Sequence, residues 1–118
     1  MKLAVLEDET FRTEEFKRKF PDCFITKNPN EFIQYVTHNH VDTISLDHDL
    51  GFFVFDENDR PLEINGQDVA FALIAQDLID EKTKIIIHSH NVVCAPKMGK
   101  LFKEAGFRPI MAKFPWWN

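Results

Sequence analysis

The feature that most constrains this 118-residue chain is a series of short apolar runs, several cut off by ionisable side chains and alternating with stretches of helical periodicity. Thr43-Ile44-Ser45-Leu46 ends in Asp47-His48-Asp49, and Ile85-Ile86-Ile87 ends in His88-Ser89-His90-Asn91. A short, nearly unbroken apolar run reads as a strand buried on both faces, which a parallel sheet covered by helices on each side provides. In such sheets ligands bind outside the carboxyl ends of the strands, so polar groups far apart in sequence converge on one crevice.

The pattern recurs along the chain. Lys2 to Leu6 predicts a first strand that stops at Glu7-Asp8-Glu9. Phe11 to Phe20, with Phe11, Phe16 and Phe20 near helical spacing, predicts an amphipathic helix stopped by Pro21. Phe24-Ile25-Thr26 is a weak second strand, and Asn30 suits the cap of a helix through about Thr37 with Phe32, Tyr35 and Val36 inward. Thr43 to Leu46 is the third strand. Gly66 opens a second helical pattern, with Val69, Phe71, Ala72, Leu73, Ala75 and Leu78 on its apolar face, ending near Asp80. Lys84 to Ile87 is the most strand-like run, Ala95 to Ala105 a helix closed by Gly106, and Phe107 to Ala112 a last strand. Strands alternating with helices, on crossovers long enough for parallel pairing, give an α/β three-layer sandwich with a five-stranded parallel sheet, residues 1–118 forming one domain.

Phe52 to Ile64 breaks the alternation. Phe52-Phe53-Val54-Phe55 and Leu62-Glu63-Ile64 flank the turn-prone Asp56 to Arg60, which predicts a β-hairpin inserted directly after Asp47-His48-Asp49. It would overhang the carboxyl end of the sheet as a water-excluding lid, pack onto the body, or meet a second subunit in a homodimer.

Composition removes several classes of function. Hydrophobic residues make up 44% of the chain, twelve of them Phe, enough for a core without disulfide or metal staples. The formal net charge of -5 excludes a broad nucleic-acid surface, which needs clustered Lys and Arg. Cys23 and Cys94 have no Cys-x-x-Cys spacing, and no signal segment opens the sequence, so a cytoplasmic location is expected. No apolar run reaches membrane-spanning length, so no membrane association is expected.

The strand ends carry the chemistry. Glu7, Asp8 and Asp47 are three carboxylates suited to a hard cation such as magnesium. His48 and His88 suit proton transfer near neutral pH, with Asp49 beside His48. Lys113 and Asn91 could hold phosphate oxygens, with the Ser89 hydroxyl as a further donor and His90 as either a catalytic group or a support for its loop. No Ser or Cys sits in a nucleophile elbow, so phosphoryl chemistry fits better than acyl transfer. Plainer roles stand beside these. Asp8 or Asp49 alone serves as a helix cap, His38 and His40 as solvated side chains, Glu14-Glu15 and Lys17-Arg18-Lys19 as a solvated helix face, and Trp116 and Trp117 as a core cap or an interface.

The order Glu7-Asp8, Asp47, Ser89, Lys113 after successive strands resembles the receiver domain of response regulators. That resemblance implies the flavodoxin-like strand order 2-1-3-4-5, magnesium held by the acidic pair with Asp47, a phosphoryl group accepted by Asp47, and contacts to it from Ser89 and Lys113. Receivers do not follow the acceptor with His-Asp or flank the hydroxyl with His, and the Pro expected after the Lys stands one place late, as Pro115. The chain is more similar to the cyclic-phosphate processing receiver-like family of bacteria and phages. The similarity rests on Leu6-Glu7-Asp8-Glu9, Ile44-Ser45-Leu46-Asp47-His48-Asp49-Leu50-Gly51, Asn65-Gly66-Gln67-Asp68-Val69-Ala70 and His88-Ser89-His90-Asn91 with Met98 and Gly106. It implies a phosphoesterase for a cyclic phosphate of a nucleotide, an RNA end or an ADP-ribose derivative, with His48 and His88 sharing the acid and base roles. The alternatives are a non-enzymatic switch phosphorylated on Asp47 and a cyclic-nucleotide-binding protein.

Overall fold

In the computed structural model, which describes residues 1–117, the element order is β1 (Leu3–Leu6), α1 (Thr10–Lys19), β2 (Phe24–Thr26), α2 (Pro29–His38), β3 (Thr43–Leu46), β4 (Phe52–Phe55), β5 (Pro61–Ile64), α3 (Gly66–Ala75), β6 (Lys84–Ile87), α4 (Cys94–Glu104) and β7 (Ile110–Met111). Five strands form one parallel sheet in the order β2-β1-β3-β6-β7, the receiver-like order expected from the sequence. The three central strands are buried because helices or aromatic side chains cover both faces, which explains their lack of hydrophobic alternation.

Side chains of successive strand residues point to opposite faces, and the two faces differ in character. Ala4, Leu6, Ile44, Leu46, Ile85 and Ile87 pack with Phe32 and Val36 of α2, Val69, Ala70 and Leu73 of α3, and Ala95, Met98 and Phe102 of α4. The opposite face is thinner. Leu3 and Val5 lie under Phe16 of α1, and the segment after β7 completes the cover with Phe114, Trp116 and Trp117. The Phe16 ring lies 4.9 Å from Trp117 and 5.5 Å from Phe114, and Trp116 stacks on Phe20 at 5.3 Å. Burying a phenylalanine as completely as Phe16 contributes about 1.5–3 kcal/mol, so this aromatic cluster holds α1 on the sheet. Both tryptophans therefore act as core cover.

Several boundaries move. Asn28, not Asn30, caps α2: its Oδ1 accepts from the backbone N–H groups of Asn30 and Glu31, and Pro29 takes the first helical position, where its missing N–H costs nothing. Helix α3 stops at Ala75 rather than near Asp80, because Asp77 adopts a left-handed φ of 56° and Leu78 N–H returns to the Leu73 carbonyl. Phe71 is exposed: it lies about 200° around the helix from Val69. Phe11 is also exposed, at the rim of the aromatic cluster. The last strand shrinks from 107–112 to Ile110–Met111, since Pro109 has no N–H to pair.

The hairpin forms as expected: β4 and β5 pair antiparallel in a separate two-stranded sheet, with Phe52 opposite Ile64 and Phe55 opposite Pro61. Asp56 Oδ1 ties its turn by accepting from the N–H groups of Asn58 and Arg60. Phe52 at its base packs on the core, whereas Phe53, Phe55 and Leu62 toward its tip are exposed. Among the described residues no helix is long and apolar enough to cross a membrane.

Candidate active site

The pairing registers of β1, β3 and β6 predict the first row of the site. Leu6 pairs with Leu46 and Leu46 with Ile87, so the next residues, Glu7, Asp47 and His88, lie side by side where the strands end. All three share the face of Val5, Ser45 and Ile86, and all three are buried. Oxygen atoms of the two carboxyl groups and a ring nitrogen of His88 lie within 4.8 Å of one another.

Each group in this row is held by fixed partners. Glu7 Oε2 accepts from the backbone N–H groups of Asp8 and Glu9 at 3.1 and 3.0 Å, and Oε1 lies 2.9 Å from His88 Nε2. His88 Nδ1 lies 2.7 Å from Ser45 Oγ, so both ring nitrogens are engaged. Asp47 Oδ1 accepts from its neighbour's N–H, that of His48, at 2.8 Å. Burial, then the adjacent Glu7 carboxylate, pushes the Asp47 carboxyl up to about 7; burial also raises Glu7. Desolvation pulls His88 down to about 4, leaving a neutral imidazole at physiological pH.

His48, Asp49 and Asn91, further past the strand ends, form a second layer. His48 Nδ1 lies 2.8 Å from Asp49 Oδ1, and the Asn91 side-chain amide donates to Asp49 Oδ2 at 3.2 Å. The His48 bond holds the Asp49 carboxylate below its ordinary range. His48 Nε2 makes no hydrogen bond to another described residue, and the side chain is 8% exposed, so the ring lies largely inside the protein. The two histidines therefore differ: His88 is bonded through both ring nitrogens, whereas His48, also buried and not lining the cleft described below, is oriented through Nδ1. Asn91 Oδ1 accepts from Val93 N–H and Cys94 N–H, anchoring the start of α4 to Asp49.

Asp8, Glu9, Arg12, Asp47, Asp49, Ser89, His90 and Asn91 line an open cleft of about 480 Å³. His90 ties this rim to the segment after β7 by a 3.0 Å contact between Nε2 and the Phe114 carbonyl. Ser89 Oγ accepts from Asn91 N–H, which closes the turn. Lys113 lies elsewhere: it is exposed and borders a neighbouring pocket of about 230 Å³ whose walls include Ile87, Val92, Ala95 and Met111, shared with the cleft through Ser89 and Asn91. Among the described residues Arg12 is the one arginine or lysine lining the cleft. Its guanidinium lies 3.9 Å from both Glu7 and Glu9 and over the Phe114 ring at 5.7 Å. Arg12 and Ser45 are the two members that sequence reasoning missed. Arg12 sits one turn into a helix whose charges read as solvated, and Ser45 hides in an apolar run. Period-two parity with Asp47 was the available signal for Ser45.

The sequence profile of the cyclic-phosphate processing receiver domain matches residues 3–104. The chain belongs to that family. No curated protein matches this cyclic-phosphate processing receiver. Among solved structures, it is similar to the receiver domain of the Francisella response regulator 1452 at 19% identity and TM-score 0.64, covering 97% of this chain and 84% of that one. The response regulatory domain of Klebsiella pneumoniae mrkE gives 19% identity and TM-score 0.61, with 98% and 84% covered. Identities this low establish the shared fold. The receiver fold implies a divalent cation, and the cyclic-phosphate processing receiver offers donors that suit one. Glu7 and Asp47 bring two buried carboxyl groups side by side, whose like charges a cation would offset, and Asp8 on the cleft wall adds a third oxygen donor.

Proposed function

We propose that this protein is a phosphoesterase that opens a cyclic phosphate on a nucleotide, an RNA end or an ADP-ribose derivative. The observation that carries the reading is the Asn91–Asp49–His48 chain: Asn91 and Asp49 line the cleft, and Asp49 fixes the ring of the buried His48, whose Nε2 has no hydrogen-bond partner among the described residues. A domain that only accepts a phosphoryl group on Asp47 has no use for such a group.

In this reading His48 Nε2 takes a proton from water as the water oxygen bonds to phosphorus. The ring P–O bond breaks, and the departing oxygen takes up a proton from the solvent in the open cleft, so one water adds across one P–O bond. Asp49 holds the His48 ring in place through the step. Arg12 and Ser89 contact the phosphate oxygens from the cleft wall. Four acidic side chains line this cleft, so an anionic substrate enters against its field unless a cation is present. Glu7, Asp8 and Asp47 would hold that divalent ion, which when bound neutralises charge on the phosphate. His88 stays behind Glu7 as its fixed partner.

The test is turnover followed by phosphorus NMR on a panel of cyclic phosphates, with Mg²⁺ or Mn²⁺ present. An acyclic monoester product that disappears in His48→Gln is expected; a panel with no product overturns the reading. One observation favours a second reading, a switch phosphorylated on Asp47: this carboxyl lines the cleft at the end of a central strand. Acetyl phosphate followed by intact mass separates the two, since an adduct lost in Asp47→Asn supports the switch. Tight binding of a cyclic nucleotide that is recovered intact would mark a binding protein instead.

A further inference from the structure

Helix α4 starts at the rim of the cleft, and the way its opening turn is bonded limits what can bind beside it. A helix N-terminus ordinarily offers free N–H groups to an anion. Here Asn91 takes three of them: its Oδ1 accepts from Val93 and Cys94, and its carbonyl accepts from Ala95. The next residue, Pro96, has no N–H to give. This helix start therefore makes no second phosphate site.

What lies against that turn is apolar. Ile87 at the end of β6, Val92, Ala95, Pro96 and Met111 of β7 wall the pocket of about 230 Å³. Ile87 and Ala95 are buried, whereas Val92 and Met111 are exposed. Lys113 is the one charged residue in its lining among the described residues. Pockets that hold a whole drug-sized ligand measure roughly 300–1,000 Å³, so this one suits a single ring of a larger molecule. Ser89 and Asn91 border both this pocket and the cleft. A molecule with its phosphate in the cleft can thus place in the pocket a group only a few bonds away.

We infer that this pocket receives the base of a nucleoside cyclic phosphate, the substrate class in which base and cyclic phosphate share one ribose. The inference rests on the phosphoesterase reading for what fills the cleft. A base presents flat apolar faces to Val92, Pro96 and the Met111 thioether, and sulfur packs favourably on aromatic rings. Acceptor atoms on the edge of the base face the Lys113 ammonium, which can only donate. A cyclic phosphate on the base-free ribose of an ADP-ribose derivative has no ring to place there, because its adenine lies two phosphates and a second ribose away.

The experiment labels the methionine methyl groups with ¹³C and titrates the whole chain, with Mg²⁺ present. The probes are adenosine 2′,3′-cyclic phosphate, the base-free ribose 1,2-cyclic phosphate and inorganic phosphate. Met98, in the core, and Met1, before β1, are the internal controls. The adenosine compound alone should shift the Met111 methyl, and it should bind about tenfold or more tighter than the base-free probe. Val92→Asp sets a carboxylate on an exposed wall of the pocket and should remove that preference. A Met111 methyl that stays still, or moves equally with either base-free probe, overturns the inference whether or not the variant folds. An undiminished preference in folded Val92→Asp overturns it too. Phosphorus NMR on the same samples keeps the two readings apart. A Met111 shift without turnover supports the base pocket and sinks the phosphoesterase, whereas turnover of both cyclic phosphates at equal kcat/KM with Met111 still sinks the pocket alone.

Discussion

Replacing Gly66 with alanine should damage the site from beneath. A Cβ added at Gly66 would lie 1.9 Å from the Asp47 carbonyl oxygen and 2.9 Å from His48 Cα. Ordinary contact begins near 3.4 Å, and both obstacles are backbone, so the start of α3 and the Asp47–His48 turn must separate by about 1.5 Å. That movement breaks the 2.8 Å bond from Gly66 N–H to the His48 carbonyl. Overpacking costs about 1–3 kcal/mol and the lost hydrogen bond about 1 kcal/mol, which together predict a destabilisation of about 2–4 kcal/mol. Gly99→Ala is the matched control: its Cβ would meet Met111 Sδ at 2.9 Å, the far end of a flexible side chain that can swing away. Urea unfolding should therefore show Gly99→Ala within about 1 kcal/mol of the parent. Equal, small losses in both variants would refute the close approach of α3 to the Asp47–His48 turn.

Three further outcomes follow from the site. Asp47 has a folded-state pKa raised from 3.8 to about 7, so the folded chain holds a proton that the unfolded chain releases, and stability falls as pH rises through that interval. Without divalent ions, Asp47→Asn should thus gain stability relative to the parent from about pH 4 to about pH 7, levelling off above at no more than about 4 kcal/mol. A gain that does not vary with pH in denaturant titrations would contradict the buried carboxyl pair. His48→Gln should lower kcat on a cyclic phosphate by roughly 10²–10⁴-fold while thermal unfolding stays near the parent, and an unchanged kcat would remove His48 from the chemistry. Arg12→Ala should raise KM for a cyclic phosphate more than Lys113→Ala does, because Arg12 lines the cleft and Lys113 does not; the reverse order in steady-state kinetics would reassign the phosphate contact.

Much of the fold was legible because β1, β3 and β6 are short apolar runs that a two-sided parallel sheet requires, and because helices of 10 or 11 residues separate most of them. Their boundaries were less so, since local bonds decide them: the Asn28 cap and the left-handed Asp77 each move an end by an amount that periodicity does not encode. Lys113 and Arg12 show the same limit within the site. A lysine just past a two-residue edge strand is aimed by the irregular segment around it. An arginine on a helix face reads as solvated until the C-terminal Phe114 ring is placed beneath it.

The two histidines divide along a line that was present in the sequence. Both follow a strand within two residues, which groups them by position, but side-chain alternation separates them. His88 directly follows Ile87 and continues the inward row of Ile86, whereas His48 is the second residue past Leu46 and has the opposite parity. Parity places His88 beside Ser45 and Phe16, where an imidazole must be neutral and fully hydrogen-bonded to be buried. The same rule gives His48 the parity of Leu46, away from Ser45 and Phe16, and its neighbour Asp49 holds one of its nitrogens. One residue type thus supplies two differently held imidazoles, one bonded at both ring nitrogens and one held through Nδ1. The assignment depends only on counting residues from the last strand bond, Asp47 N–H to the Leu6 carbonyl and His88 N–H to the Leu46 carbonyl.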